Sequence, residues 1–457
     1  MINKIPAILG GEKLRKIPLK SRTTIGPEEK KAVIEVMDSD ILSAFIGAPG
    51  EKFLGGAKVL EFENNWKKKY GFKHAISVNS WTSGLIISVG SIGVEPGDEV
   101  ICSPYSMSAS ATSILFYGGI PVFADIDSKT YNIDPKSIES KITERTKAIL
   151  VVHIFGGCAN METIMKLAKK HNLKVIEDAA QAPGIKYKNQ SIGGIGDIGG
   201  FSLNFHKHIH TGEGGMIVTN NDDIAFKAQL IRNHGENYAN KLSVSDLPNI
   251  IGGNYRLTEI QAAIGIVQLK KLKSLIDHRN TLANFLHKEF EKIDCLDTFI
   301  PNNDCDHSYY IFPIKFSEEK AKISRGLFVR AVNEEFPNAA GWESVPLSEG
   351  YVEPLYLNPI YQNKIALGSK GFPFNFNENA TYDYSKGSCP VTEKMYYREM
   401  IISPIVREPL EISDMQDLIN AIKKVLSNVE EIQKKFKGKE TKEIYTPVSA
   451  ASSKNVR

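Results

Sequence analysis

The sequence predicts an α/β protein whose sheet is largely parallel and is covered by helices. From about residue 73, short apolar runs typical of buried strands alternate with stretches of helical spacing. Such alternation is typical of a parallel sheet with helices on its faces. Polar residues follow several of the apolar runs, as at Asn79 and Asp178. Ligand sites in such sheets lie at the carboxyl ends of the strands, so these residues are candidates for a binding site.

The short apolar runs in the first half of the chain are predicted to be strands, because their length and their content of β-branched residues are those of buried strands. They are HAISV (74–78), DEVICS (98–103), PVFADI (121–126), AILVVHIF (148–155), KVIEDA (174–179) and GMIVTN (215–220). Two other stretches, TSGLIISVGSIGV (82–94) and METIMKLAKKHN (161–172), have the apolar spacing of helices.

The second half of the chain is predicted to form a smaller α+β domain followed by a tail. The pattern of residues 258–293 fits one long helix or two, SYYIFPIKF (308–316) is strand-like, and residues 414–436 form an amphipathic helix. The last stretch is polar and without pattern, so disorder is expected there. The predicted divisions are an N-terminal region and large domain over 1–275, a C-terminal domain over 276–436 and a tail over 437–457.

Composition excludes several classes of function. The chain has 56 Lys and Arg against 53 Asp and Glu, a net charge of +3, which indicates no polyanionic partner such as nucleic acid. No apolar run is long enough to span a membrane, and the start, MINKIPAILGGEKLRK, lacks the apolar core of a signal peptide. The five scattered cysteines include no CxxC pair. We therefore predict free thiols in a cytoplasmic protein rather than disulfides or a thiolate zinc site.

GIGDIG (194–199) matches the GxGxxG pattern of dinucleotide-binding proteins. That pattern should follow a strand, open a helix and have an acidic residue about 20 residues further on. Here it follows the turn-like YKNQSIG and precedes the strand-like FSLNF. The context favours a turn over a nucleotide site.

SWTSG (80–84) lies between a predicted strand and a predicted helix. Small hydroxyl residues and the unpaired amides of a helix N-terminus can bind an anion. The alternative is that Ser80 or Thr82 only caps the helix.

VIEDAAQAPG (175–184) places Glu177 and Asp178 at the end of a predicted strand, with Gln181 three residues after Asp178. A carboxylate at this position could pair with a cationic ring nitrogen. The alternative is an aspartate that caps a local turn or helix.

NFHKHIHTGEGG (204–215) places Lys207 among three histidines. In an extended segment, His206, His208 and His210 would share one face and Lys207 the other. Three imidazoles could bind zinc, but no HExxH motif or further Cys/His set supplies the remaining ligands, so we predict no metal. Lys207 is either an exposed lysine or an amine whose pKa falls enough for nucleophilic and base chemistry. The glycine-rich turn TGEGG lets the backbone approach a ligand closely.

Taken in order, these segments resemble the DegT/DnrJ/EryC1/StrS aminotransferases, and the resemblance extends from about Pro18 to Pro409. The matching motifs are SWTSGL, GDEV, PVFADID, VVHIFG, VIEDAAQAPG, GDIGGFSLN, KHIHTGEGG, IRNHG and NYRLTEIQAAIGIVQL. The resemblance implies a pyridoxal 5'-phosphate (PLP) enzyme of fold type I. Its expected architecture is a mostly parallel seven-stranded sheet sandwiched by helices, with a smaller α+β C-terminal domain.

The resemblance also implies roles for residues around the cofactor. Lys207 stands where the family has the lysine that binds PLP as a Schiff base. Asp178 matches the carboxylate that pairs with the pyridinium nitrogen and so keeps the ring an electron sink. Gln181 matches the residue beside the ring hydroxyl.

The remaining implied contacts concern the phosphate group. Ser202 of FSLN and the Trp81–Thr82 stretch match residues that contact the phosphate, in agreement with the helix N-terminus expected there. Asn254 of NYR matches an asparagine that reaches the phosphate in the neighbouring subunit. This match implies a homodimer with a shared active site.

The sequence departs from the family pattern at two places. Trp81 stands where members often have glycine, so the local backbone or the wall of the pocket must differ. At the position of a ring-stacking aromatic residue the chain offers Met107, whose thioether can pack on a pyridine face, or Tyr105. Residues 339–385 form a longer segment than compact members have, and we expect it to shape the substrate pocket or the dimer surface.

The sequence therefore predicts a PLP-dependent aminotransferase that works by a ping-pong mechanism through Lys207. The expected amino donor is glutamate or glutamine. The expected acceptor is either a nucleotide-linked keto-sugar or a keto-cyclitol. One alternative is a PLP-dependent sugar dehydratase, which has histidine in place of the lysine and is raised here by the flanking His206 and His208. A non-catalytic sensor or scaffold is another alternative, against which the intact Lys207, Asp178 and Gln181 argue. The last alternative is a zinc hydrolase that uses the three histidines.

Overall fold

The computed structural model describes residues 5–299, 304–337 and 344–437. The predicted tail over 437–457 lies outside these ranges except for its first residue. No helix in the described ranges is long and apolar enough to cross a membrane.

The strands form a large sheet, a smaller sheet and a short hairpin. They are β1 (His74–Val78), β2 (Glu99–Cys102), β3 (Ile120–Phe123), β4 (Thr146–Val152), β5 (Lys174–Asp178), β6 (Lys186–Tyr187), β7 (Gln190–Ser191), β8 (Ile198–Ser202), β9 (Gly215–Thr219), β10 (Leu296–Thr298), β11 (Phe312–Phe316), β12 (Ser348–Glu349) and β13 (Met400–Ser403). The large sheet has seven strands in the order β1-β9-β8-β5-β4-β2-β3. Only β9 runs opposite to the other six strands, so the predicted, mostly parallel sheet is confirmed.

The helices alternate with the strands in the first half of the chain and dominate the second half. They are α1 (Pro27–Asp38), α2 (Ala57–Tyr70), α3 (Trp81–Ser91), α4 (Ala109–Leu115), α5 (Pro135–Lys141), α6 (Met161–His171), α7 (Asp222–Arg232), α8 (Glu259–Phe290), α9 (Glu318–Ala321), α10 (Arg325–Glu334), α11 (Pro359–Gln362), α12 (Pro390–Lys394), α13 (Ile412–Leu426) and α14 (Val429–Phe436).

Two apolar layers cover the two faces of the large sheet. Neighbouring residues of one strand contribute to opposite layers, as Ile149 and Leu150 of β4 do. This alternation follows from the pleat of a strand, in which successive side chains point to opposite faces. Helices α3, α4 and α7 pack on one face, and α2, α6 and the first half of α8 pack on the other. With both faces covered, polar groups have access to the sheet mainly at the ends of its strands.

The second sheet has the order β10-β11-β13-β12, and all its pairs are antiparallel. It packs against α10, α13 and the second half of α8, which runs unbroken from one core into the other. Thr258 caps this helix by accepting from the backbone of Gln261. The N-terminal residues join this second core through Ile8 and Leu19. Residues near both limits of the described chain therefore meet in the second core.

Two predicted elements differ in detail from those observed. Residues 414–436 were expected to form one helix, but α13 ends at Leu426 and α14 begins at Val429. The polar pair Ser427 and Asn428 separates them. Residues 201–205 were expected to be strand-like, but the strand begins earlier, at Ile198, and ends at Ser202.

The prediction of five free thiols is wrong for two of the cysteines. Cys158 and Cys305 form a disulfide that spans 147 residues of sequence. The loop after β4 and the loop before β11 meet beside the large sheet, a proximity that sequence spacing does not show. Cys102, Cys295 and Cys389 are free and buried.

Residues 194–197 of GIGDIG form a bend, in agreement with the sequence context, and its last two residues begin β8. Glu177, which precedes Asp178 on β5, is fully buried and accepts hydrogen bonds from the backbone of Gly193, Ile195 and Gly196. The glycine-rich turn therefore wraps around a carboxylate of the protein itself.

The described part of the segment 339–385 packs against the β3 edge of the large sheet. The Tyr384 hydroxyl donates to the carbonyl of Pro121, and Asn377 donates to that of Gly97. The backbone of Leu355 donates to the carbonyl of Pro104, in the loop that follows β2. The segment therefore supports a loop at the carboxyl end of the sheet.

Candidate active site

A cavity of about 200 Å³ lies at the carboxyl ends of the parallel strands. Seven of the predicted site residues line it, from four different connections of the large sheet. They are Trp81, Thr82, Met107, Asp178, Gln181, Ser202 and Lys207. The remaining predicted residue, Asn254, lies outside the cavity and is exposed.

Asp178 ends β5 and is buried at the cavity wall. Its Oδ1 accepts from the indole Nε1 of Trp81 at 2.7 Å and from the backbone of Ala180 at 3.2 Å. Its Oδ2 accepts from the Ser110 hydroxyl at 2.7 Å. A carboxylate oxygen can accept more than one hydrogen bond, so Oδ2 retains capacity for a donor on a bound ligand.

The structure makes room for Trp81 at a position where family members often have glycine. The indole lies against Gly84 and Gly200, where an added Cβ would come within 2.4 and 2.3 Å of its ring. The two glycines thus provide the space that a bulky residue needs at this position. The side chain of Trp81 is directed to Asp178, so only its backbone amide remains for the phosphate contact expected from the sequence.

The N-terminus of α3 opens into the same cavity. Ser80 caps the helix, since its hydroxyl accepts from the backbone of Ser83 at 3.1 Å. The amides of Trp81 and Thr82 belong to the first turn, which leaves them outside the helical hydrogen-bond ladder. With Ser202 on the neighbouring wall, they form a group of donors suited to an anion.

Both the oxygen and the nitrogen of the Gln181 side-chain amide form hydrogen bonds to the protein. Its Oε1 accepts from the backbone of Phe155 at 2.7 Å, and its Nε2 donates to the Tyr351 hydroxyl at 3.0 Å. An amide nitrogen carries two N–H groups, so one of them remains for a ligand in the cavity.

Met107 and Tyr105 were both candidates for stacking on a cofactor ring. Met107 lines the cavity, whereas Tyr105 is fully buried and packs edge-on against Phe155 and Tyr351. The structure thus brings Met107, and not Tyr105, to the cavity.

Lys207 is buried, with its amine 4.1 Å from the centre of the Tyr310 ring. The pKa of Lys207 is lowered to about 8, chiefly by burial and also by Arg22, while Asp178 acts in the opposite direction. Removal from water disfavours the charged form of an amine. Near neutral pH this lysine is therefore much closer to its nucleophilic, deprotonated form than an exposed lysine is.

The expectation of an extended segment around Lys207 is wrong. Residues 204–214 form turns and bends, because they connect β8 to the antiparallel β9 and must return to their starting point. The backbone of Lys207 donates to the carbonyl of Asn204, and that of Leu203 donates to the carbonyl of Gly214.

The three histidines consequently do not share one face. His206 lines the cavity, His208 is fully buried beside the Ser308 carbonyl at 2.9 Å, and Nδ1 of His210 accepts from the backbone of Gly212. Burial lowers the pKa of His206 and of His210 to about 4. Over the ranges that the structure describes, no three His, Cys, Asp or Glu side chains are placed to bind one metal ion.

Taken together, the lining residues fit PLP. A buried amine suits its aldehyde, the Asp178 carboxylate suits its ring nitrogen, and the donors at the start of α3 suit its phosphate. The sequence did not indicate three other residues: Ser110 against Asp178, Tyr351 against Gln181 and Tyr310 against Lys207. They come from distant parts of the chain, and no local motif marks them.

Comparison with known proteins agrees with this geometry. A model of the DegT/DnrJ/EryC1/StrS aminotransferase family matches residues 25–423. The chain is 32% identical to the spore coat polysaccharide biosynthesis protein SpsC of Bacillus subtilis, over 89% of this chain and 96% of that protein. It is also 32% identical to GDP-perosamine synthase of Escherichia coli O157:H7, over 81% of this chain and 97% of that protein. The solved structure of an aminotransferase from Psychrobacter cryohalolentis is similar with a TM-score of 0.75 and 28% identity, over 90% of this chain and 100% of that chain.

Proposed function

The chain belongs to the DegT/DnrJ/EryC1/StrS aminotransferase family, and from this premise we propose that it transfers an amino group from glutamate or glutamine to a keto-sugar. The family assignment makes it a PLP-dependent aminotransferase of fold type I. The proposed acceptor is a nucleotide-linked sugar, with a keto-cyclitol as the second possibility. The similarity to GDP-perosamine synthase supports the former.

The observation that carries the proposal is the buried amine of Lys207 in the same cavity as Asp178. When bound, PLP supplies an electron sink that stabilises the charge left on a carbon when its proton is removed. Asp178 would hold the ring nitrogen, and Gln181 would offer its free N–H to the ring hydroxyl. Met107 would pack on the face of the ring.

The proposed phosphate site is formed by Ser202 and the first turn of α3. The backbone amides of Trp81 and Thr82 would donate to the phosphate, together with the hydroxyls of Thr82 and Ser202. We further propose that Asn254 completes the site of the neighbouring subunit in a homodimer. Its exposure, outside the cavity of its own chain, supports a role directed at a partner.

Lys207 has two roles in this proposal. Its amine would hold PLP through the cofactor's aldehyde group, and once the amino donor displaces this amine it would move a proton to and from the donor's α-carbon. A pKa of about 8 suits both directions of proton transfer near neutral pH. Because one cavity serves donor and acceptor in turn, the keto acid leaves before the sugar enters, which predicts ping-pong kinetics.

Borohydride reduction of the protein loaded with PLP tests the role of Lys207. Peptide mapping should find the cofactor on Lys207 in the parent protein and on no residue in Lys207→Met. Transfer of isotope-labelled nitrogen from glutamate to candidate keto-sugars tests the acceptor. A protein that binds PLP without a covalent lysine adduct, and removes a hydroxyl group from the sugar, would be a dehydratase and would contradict the proposal.

A further inference from the structure

Arg22 lies on the N-terminal segment before α1 and reaches the loop that carries Lys207. Its guanidinium donates to the carbonyl oxygens of Phe205 at 2.8 Å, of Lys207, and of His208 at 3.1 Å. The side chain of Arg22 is only 5% exposed. A planar guanidinium presents its donors in a fixed geometry, so it can hold several carbonyls of an irregular loop in one arrangement.

Glu408 connects Arg22 to a second buried arginine. Its Oε1 accepts from Nε of Arg22 at 3.1 Å, and its Oε2 lies 3.4 Å from Nε of Arg279 on α8. Arg279 also donates to the carbonyl of Tyr309 at 3.0 Å. Burial alone would raise the pKa of Glu408, but Arg279 and Arg22 hold it below its usual value. The carboxylate is therefore charged and joins the two guanidinium groups.

We propose that Arg22 is a positioning residue for Lys207 and acts together with Glu408 and Arg279. The inference rests on the role proposed for Lys207. Arg22 holds the backbone of Lys207, while Arg279 holds the segment whose Tyr310 ring faces the lysine amine. The network thus fixes both sides of the amine with groups that lie outside the cavity.

The charge of Arg22 has an effect distinct from its hydrogen bonds. The amine of Lys207 is faced by Asp178 from β5, by the adjacent His206 and by the Tyr310 ring, with Arg22 behind the loop. Arg22 lowers the pKa of Lys207, in the same direction as burial. Removing this cation should raise that pKa, whereas replacing it with lysine should largely preserve it.

The first test uses the full chain without cofactor, so that it does not depend on catalysis. The reactivity of Lys207 toward acetic anhydride is measured by mass spectrometry as a function of pH. The pKa should be about 8 in the parent, shifted upward in Arg22→Gln and close to the parental value in Arg22→Lys. Hydrogen exchange in residues 204–211 should be faster in both variants, because neither retains the guanidinium donors.

Two further variants separate positioning from general destabilisation. Arg15→Gln is the control, since Arg15 lies on the same segment but pairs with Asp414 and Asp417. It should change neither the pKa of Lys207 nor exchange in residues 204–211. Glu408→Gln leaves Arg22 in place and should accelerate exchange both in 204–211 and in 308–311. This variant also tests the network if Arg22→Gln does not fold.

With PLP bound, Arg22→Gln should lower kcat on the order of 10- to 100-fold, with a much smaller change in KM for the donor, because misplacement of a reacting group costs rate. Arg22→Lys should recover part of this loss. An unchanged pKa and unchanged exchange in Arg22→Gln would overturn the inference. If borohydride instead fails to link PLP to Lys207 in the parent, the proposed function is wrong, while the pKa and exchange measurements still decide the role of Arg22.

Discussion

Lys207 carries a charge that the folded protein disfavours. Its usual pKa of 10.5 falls to about 8, chiefly through burial, with Arg22 acting in the same direction and Asp178 against it. Between these two values the unfolded chain binds a proton that the folded chain does not. The free energy of unfolding should therefore rise with pH through this window, by about 3 kcal/mol from this residue.

Lys207→Met should remove this rise, because methionine fills similar space without a charge. Below about pH 8 the cofactor-free variant should be more stable than the cofactor-free parent, and the difference should shrink as the pH approaches 10.5. Urea unfolding of both proteins across this range measures the difference. Parallel curves for the two proteins would mean that Lys207 is not the buried amine described here.

The side chain of Trp81 contributes to the site through its hydrogen bond to Asp178. Trp81→Phe should lower the free energy of unfolding by about 1.5–3 kcal/mol beyond the loss of packing, since a bond to a charged acceptor is removed. Trp66→Phe is a matched control. Trp66 is equally buried, but its Nε1 has no hydrogen-bond partner within the described ranges. Equal losses in urea unfolding for the two variants would contradict the role assigned to Trp81.

Sequence motifs identify the cavity residues that lie next to a strand end. Asp178, Ser202 and Lys207 belong to contiguous segments whose residue types mark them, and the structure brings them together. Arg22 and Tyr310 lie far from Lys207 in sequence and carry no local signal. Their roles depend on which segments the fold places side by side, and one sequence does not contain that information.

At the scale of elements, apolar periodicity predicted most strands of the large sheet to within a few residues. The loop over 204–214 was predicted wrongly as an extended segment, because its residue types alone are compatible with a strand. The antiparallel pairing of β8 with β9 brings Ser202 opposite Gly215 and forces the intervening residues to turn back. Such long-range pairing decides the conformation of a segment whose own preferences are weak.

The disulfide between Cys158 and Cys305 ties the loop after β4 to the segment before β11. Cross-linking residues 147 positions apart should stabilise the protein by about 4–5 kcal/mol through the unfolded state. Reductant should therefore lower the thermal midpoint of the parent. Cys158→Ser/Cys305→Ser should begin at the lower midpoint and show no response to reductant. Peptide mapping without reduction should recover the linked peptides, and their absence would contradict the assignment.

On the scale of the whole molecule, the charged network behind the site joins segments that are far apart in the sequence. Arg22 precedes α1, Glu408 follows β13, and Arg279 lies on the helix α8 that runs through both cores. The smaller sheet and its helices therefore act on the cavity of the large sheet through a charged network. These contacts hold a loop that has no regular secondary structure.

The proposed homodimer can be tested by mixing two variants of the chain. Asn254 is exposed, and its Oδ1 accepts from Nε of Arg256 at 2.7 Å, which fixes its orientation at the surface. If Asn254 completes the partner's site, each site uses Lys207 of one chain and Asn254 of the other. A heterodimer of a Lys207→Met chain and an Asn254→Ala chain then has one site that carries both changes and one site that is intact. Each variant alone should be nearly inactive, because both of its sites are altered.

Equal mixing of the two variants, after denaturation and refolding, should restore about a quarter of the parental activity, since half of the dimers would be mixed and each would hold one intact site. If Asn254 instead acts within its own subunit, every site in the mixture carries one change and no activity returns. Refolding each variant alone controls for losses during the procedure. Size-exclusion chromatography of the mixture shows whether dimers formed, so a failure to assemble is distinguished from a site that is not shared.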